Sequence, residues 1–272
     1  MKEAMRLKAQ IKAMSLQIRI PANAVLQNYM LERLLERISL SSLRDKIIIK
    51  GGLLIAAMVG IGSRTTMDMD TTFKDYPLTE PAIRMAMDEI CQIAVNDGVS
   101  FTMNSIEPIR ADDEYGGFRI SLMSAYDSIN VPLKVDITTD DAITPREIRY
   151  SFPTMFENRT IELWTYNVET VLAEKFETIL RRGILNTRPR DFYDVYILMQ
   201  TQQIDSSLLS RAIRATAQKR GSLSAMADKG AIINTIRNDG TMQQRWATYC
   251  REYPYADGIN FNSVLDVLEQ IF

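Results

Sequence analysis

The chain reads as an α+β protein, with a sheet flanked by helices in its first part and a helical C-terminal part beginning near residue 165. Three features lead there. Ile47-Ile48-Ile49, Gly51-Gly52 and the apolar residues 53–59 read as a buried strand, a turn and a helix. Residues 99–109, 118–125 and 131–138 read as successive strands, and their short connections imply antiparallel pairing. After Trp164 the apolar spacing becomes helical. At 272 residues and 46% hydrophobic, the chain can bury a substantial core as one large domain or two lobes.

Each element has its own signal. Residues 23–38 carry apolar positions at helical spacing behind Pro21, which predicts an amphipathic helix on the sheet. Asp68 and Asp70 sit on the next strand, and a helix over residues 81–94 separates it from those that follow. Turns are signalled at Asp112-Asp113-Glu114-Tyr115-Gly116-Gly117 and at Asp127-Ser128-Ile129-Asn130. In the second part the helical spans are 168–182, 190–200, 206–219 and 263–271.

Composition restricts the chemistry. There is no histidine, which excludes Ser-His-Asp triads, Cys-His dyads, HExxH zinc sites and histidine bases. Cys91 and Cys250 are too far apart in sequence for a CxxC motif. Carboxylates, lysine, arginine, hydroxyls and metal remain. The formal charge of −2 offers nucleic acid no global attraction, so RNA contact needs a local basic surface. With few cysteines, no signal-peptide pattern and no apolar run long enough to span a bilayer, a cytoplasmic location without membrane attachment is the expectation.

The densest chemistry lies in Lys50-Gly51-Gly52 and in Arg64-Thr65-Thr66-Met67-Asp68-Met69-Asp70. Residues i and i+2 of a strand share a face about 6.6 Å apart. Asp68 and Asp70 are therefore placed to grip Mg²⁺, with Met67 and Met69 toward the core. Mg²⁺ takes one or two carboxylates and completes its octahedron with phosphates and waters, which suits nucleotidyl transfer. An isolated Asp-x-Asp is also an ordinary solvated strand end. Gly51-Gly52 ahead of a helix adds a backbone able to approach an anion closely.

In Leu133-Lys134-Val135-Asp136-Ile137 the alternation puts Lys134 and Asp136 on one face, supplying a third carboxylate. An exposed strand face with a Lys–Asp pair gives the same pattern. The metal reading is favoured because three carboxylates on one face repel one another unless a cation neutralises them. Further on, Val171, Leu172, Phe176, Ile179 and Leu180 form a helical stripe that leaves Glu174, Lys175 and Arg181 toward solvent or a cleft. Asp191 and Asp194 share an i, i+3 face, where Asp191 either caps its helix or pairs with Arg188 or Arg190.

Taken in order, Lys-Gly-Gly (50–52), Arg-x-Thr-x-Asp-x-Asp (64–70), Lys-Val-Asp-Ile (134–137), Ala-Glu-Lys-Phe (173–176) and Arg-Asp-Phe-Tyr-Asp (190–194) resemble the motifs of AbiEii-type nucleotidyltransferase toxins over residues 20–200. The resemblance implies a DNA-polymerase-β-like nucleotidyltransferase core with a mixed sheet (residues 1–165). A helical C-terminal lobe (166–272) would contribute to the active site. It also implies a toxin of a bacterial toxin–antitoxin pair, acting on an NTP and a tRNA 3′ end, with a cognate antitoxin as partner. By the same likeness Asp68, Asp70 and Asp136 are the metal-binding acids, Asp136 helps deprotonate the acceptor, and Lys175 and Asp191 are catalytic, Lys175 at the triphosphate. Lys50, Gly51, Gly52, Arg64, Thr66 and Lys134 serve the nucleotide. Leu53 and Leu54 stand where the family often has a hydroxyl residue.

Arg181, Arg182, Arg188, Arg190, Arg211, Arg214, Lys219 and Arg220 form a basic set suited to an RNA backbone, and equally to solvated helix faces. Other readings are a nucleotide-binding regulatory or interaction module with degenerate activity, which would bind NTP without turnover, and a housekeeping nucleotidyltransferase.

Overall fold

The computed structural model describes residues 2–109 and 116–271, so the turn signalled at residues 112–115 lies outside the described residues. The chain divides into two compact units. One runs to Asp140 and includes Ile148–Thr165; the other comprises Asp141–Glu147 and the residues from Tyr166 onward.

The first unit contains α1 (Lys2–Ile18), α2 (Ala22–Leu40), β1 (Ile47–Lys50), α3 (Gly51–Val59), β2 (Asp68–Phe73), α4 (Glu80–Gln92), β3 (Val99–Pro108), β4 (Phe118–Tyr126), β5 (Ile129–Thr139), β6 (Ile148–Pro153) and β7 (Thr160–Thr165). Among the described residues its seven strands form one mixed sheet in the order β3-β4-β5-β2-β1-β7-β6. The β3–β4–β5 meander is antiparallel, as its short connections predict. The pairings β2–β5 and β1–β7 are parallel, a long-range arrangement that no local turn signal encodes. β5 alternates buried and open positions along its length, with Leu133, Val135 and Ile137 inside.

α2 is buried on most of its surface rather than along one stripe. Val25, Met30, Leu31, Leu34 and Ile38 enter the core, and Arg33 and Arg37 are each only 1% exposed. Burying guanidinium ions is tolerable because both are paired. Arg37 holds Asp97 at 2.8 and 2.9 Å, and Arg33 bonds Glu32 and lies 3.2 Å from Glu36.

The second unit contains α5 (Val168–Arg182), α6 (Pro189–Thr201), α7 (Ser206–Lys219), α8 (Leu223–Ala227), α9 (Lys229–Asn238), α10 (Gly240–Glu252) and α11 (Phe261–Gln270). Asn167 caps α5 by accepting from the Thr170 N–H at 2.8 Å. Trp246 stacks on Phe261 with centroids 5.4 Å apart, and Phe261 meets Phe192 edge-on at 5.5 Å. Such pairs tie α10, α11 and α6 together beyond the area they bury.

Glu177 is fully buried on α5, where it accepts from Arg181 at 2.8 Å, Arg220 at 2.7 Å and Ser222 at 2.7 Å. Removing the acid takes an ion-pair partner from Arg181 and from Arg220, which keeps Glu174. Glu177→Ala is therefore expected to lower stability by about 3 kcal/mol in urea unfolding. Glu177→Gln, which keeps one acceptor, should lose less. A loss below about 1 kcal/mol for the alanine variant would show that these ions are adequately solvated.

No helix among the described residues is long and apolar enough to cross a membrane.

Candidate active site

β1 ends at Lys50 and α3 begins at Gly51, so the turn between them is a single peptide step. Gly51 takes φ +64°, a conformation open to glycine but strained for other residues. A Cβ there would fall 2.8 Å from the Cβ of Asp70 and 2.7 Å from its Cγ. A Cβ at Gly52 would fall 2.9 Å from the Thr66 Oγ1 and 3.2 Å from an Arg64 Nη2. The glycine pair thus lets the acid strand and the Arg64–Thr66 segment close on the start of α3. Arg64 is 2% exposed and donates to the Thr65 carbonyl. A buried guanidinium beside the positive end of a helix favours an anion at that spot.

Leu53 and Leu54 are core residues. The hydroxyl beside the glycine turn comes instead from Thr66, which donates to the Asp68 carbonyl at 3.0 Å. Sequence spacing along α3 alone cannot reveal that substitution.

Strand register aligns the charged residues. Lys50 pairs with Asp70 across β1–β2, Asp70 with Asp136 across β2–β5, and Asp136 with Arg119 across β5–β4. Residues directly opposite share a face and lie about 5 Å apart. One row of charges therefore crosses four adjacent strands: Lys50, Asp70, Asp136, Arg119. One pleat away Asp68 stands opposite Lys134. Asp68, Asp70 and Asp136 are thus brought to one face, with Met69 and Val135 beneath them in the core.

Met67 departs from expectation. It is 41% exposed rather than in the core, because β2 begins only at Asp68. Met67 belongs to the lead-in, whose backbone is held by α2: Gln27 donates to the Met67 and Pro132 carbonyls at 2.9 Å each, and Asn28 to the Thr66 carbonyl at 3.0 Å. Gln27 thus bridges the entry of β2 to β5, while Asn28 ties it to α2 through the Ala24 carbonyl. Nothing in the helical pattern of residues 23–38 marks them except polar residues on what proves to be a buried surface.

The Asp68 carboxyl is pushed above its ordinary range, first by loss of water around it. Lys134 opposes that push, Asp70 and Asp136 add to it, and Arg119 opposes it again. A divalent cation would reverse it. Among the described residues no three carboxylate or cysteine side chains form a ready-made cation cage. Mg²⁺ does not require one, since substrate phosphates supply most of its remaining ligands. Asp68 and Asp70, two acids on one face beside an anion-favouring turn, fit that mode.

In the second unit Lys175 sits between two buried acids, 2.5 Å from Asp191 and 3.2 Å from Asp194. Its side chain is 21% exposed, so it is not part of a solvated face. Asp191 pairs with Lys175 of α5. Arg190 instead bonds the Tyr253 hydroxyl at 2.7 Å and lies over its ring. Asp194, which the sequence marked only by its spacing, is fully buried and completes the triad.

The basic set divides accordingly. Arg181 and Arg220 are committed to Glu177, and Arg220 also to Glu174. Arg211 and Arg214 are exposed on α7.

A family model described as "Nucleotidyl transferase AbiEii toxin, Type IV TA system" matches residues 33–267. No curated protein matches. Among solved structures the chain is similar to MenT4, a nucleotidyltransferase toxin from Mycobacterium tuberculosis H37Rv. The TM-score is 0.58 at 14% identity, over 97% of this chain and 98% of that one. It is also similar to JHP933 from Helicobacter pylori, with a TM-score of 0.48 at 13% identity, over 90% and 89% of the two chains.

Proposed function

The chain belongs to the AbiEii family of nucleotidyltransferase toxins of type IV toxin–antitoxin systems, and from that premise we propose that it moves an NMP from an NTP to the 3′ end of tRNA in a Mg²⁺-dependent reaction. The observation carrying this reading is the register that places Asp70 beside Asp136 and Asp68 beside Lys134, next to a glycine turn that leaves no room for a Cβ at Gly51.

Asp68 and Asp70 would hold the ion, which when bound polarises the α-phosphorus and offsets charge on the leaving pyrophosphate. Lys50, Arg64 and Lys134 bind the phosphates, and Gly51, Gly52 and Thr66 shape the turn that receives them. Asp136 accepts the proton of the attacking hydroxyl. The first unit serves as the nucleotidyltransferase core. Lys175 and Asp191 are assigned to the same reaction by family likeness, with Asp194 fixing the lysine. Arg211 and Arg214, exposed on α7, are suited to RNA phosphates. The expected partners are the NTP, tRNA and an antitoxin, and the expected location is the cytoplasm.

Purified protein incubated with total tRNA, Mg²⁺ and each α-labelled NTP in turn tests this. Label in RNA with one NTP, lost on adding EDTA and in Lys175→Ala, is the expected result. NTP binding without label in any RNA would sink it and favour a binding module.

A further inference from the structure

Arg119 has no role in the reading above, yet it is the most specific partner that Asp136 has. Its Nε donates to Oδ1 at 2.8 Å and its Nη2 to Oδ2 at 2.7 Å, so one planar fork engages both carboxylate oxygens. On the other side of Asp136 the register places Asp70. Asp136 therefore stands between a cation on β4 and a like charge on β2. Directly opposed like charges destabilise a sheet, and Arg119 offsets that repulsion. The two partners differ in freedom: the Arg119 side chain is 48% exposed and that of Asp136 is 18% exposed. The guanidinium can swing into solvent while the strand keeps Asp136 where it is.

We propose that Arg119 is a positioning residue that holds the Asp136 carboxylate in a fork, and that a divalent ion at Asp68 and Asp70 competes with this guanidinium for Asp136. The inference rests on the metal-dependent reading above and adds a residue and a competition to it. Guanidinium and dication seek the same carboxylate oxygens, so each weakens the other's hold. The exchange keeps the acid face neutralised in both states. In one state Arg119 supplies the positive charge, and in the other the ion does.

The test is Mn²⁺ binding to the full chain, followed by EPR of the free ion without nucleotide or RNA. Wild type, Arg119→Gln and Arg119→Lys are compared, each with Asp136 intact and with Asp136→Asn, a cycle that isolates coupling through the carboxylate. Arg119→Gln is expected to tighten Mn²⁺ about three- to tenfold. Arg119→Lys, which keeps the charge without the fork, should also tighten it, and both effects should vanish with Asp136→Asn. Unchanged or weaker binding in Arg119→Gln overturns the proposal. So does tightening that persists with Asp136→Asn, or that glutamine produces and lysine does not, since either assigns the effect to through-space charge. Wild type that binds no Mn²⁺ overturns this inference together with the metal-dependent reading. Wild type that binds Mn²⁺ normally and transfers no nucleotide overturns that reading alone.

Discussion

Asp68→Asn is expected to lose nucleotidyl transfer by on the order of 10³-fold, the several kcal/mol that a misplaced catalytic ion represents, while the protein becomes slightly more stable. The second effect follows from the raised Asp68 carboxyl. A carboxyl whose folded pKa lies above its unfolded one favours folding when protonated. Ionisation as pH rises through the folded value therefore weakens the fold. A neutral amide of the same shape removes that cost. Because water reaches this side chain, the gain should be small, about 0.5 kcal/mol near neutral pH. It should shrink as pH falls through the raised folded value and be gone below about 4, where wild-type Asp68 is protonated in both states. Thermal unfolding across pH, with and without Mg²⁺, separates the contributions. The ion should raise the wild-type midpoint by mass action and leave the variant's nearly unmoved. A variant that keeps transfer, or that shows a wild-type response to Mg²⁺, would remove Asp68 from the ion site.

Gly51→Ala should be damaging at two levels. A non-glycine residue at φ +64° carries about 1 kcal/mol of backbone strain. In addition, the new methyl would lie 2.8 Å from the Asp70 Cβ, an approach that forces β2 or the turn to move. Together these predict a stability loss of about 2–4 kcal/mol and a fall in transfer of about 100-fold, since roughly 1 Å of displacement of a reacting group has that effect. Gly60→Ala is the control. Gly60 has φ +88°, but its added Cβ would meet nothing within 4 Å. That variant should share the strain and keep the activity. Equal activity losses in the two variants would show that α3 distortion, and not displacement of Asp70, is responsible.

Much of this was legible in the sequence because it is local. Strand alternation set Lys134 and Asp136 on one face, glycines marked the turn before α3, and apolar spacing located α5 and α7. Signals failed where a local pattern was satisfied by a distant partner. α2 was expected to be amphipathic, yet Arg33 and Arg37 are buried because Glu32, Glu36 and Asp97 receive them. The edge strand β6 and its inner neighbour β7, each six residues long, were not among the expected strands, although β7 alternates open and buried positions from Thr160 to Leu163. Arg181 and Arg220 looked like an RNA-facing surface until the fold brought them to Glu177.

The sequence by itself determined the α+β class, the absence of histidine chemistry, the identities of the acids and the family. Only the tertiary structure decided which charges meet: Asp70 with Asp136, Asp136 with Arg119, Lys175 with Asp191 and Asp194. The reason is physical. Secondary-structure periods act over a few residues and are written in side-chain order. Parallel pairing of β2 with β5 joins residues 66 apart in sequence, and its register is set by the sheet's packing as a whole.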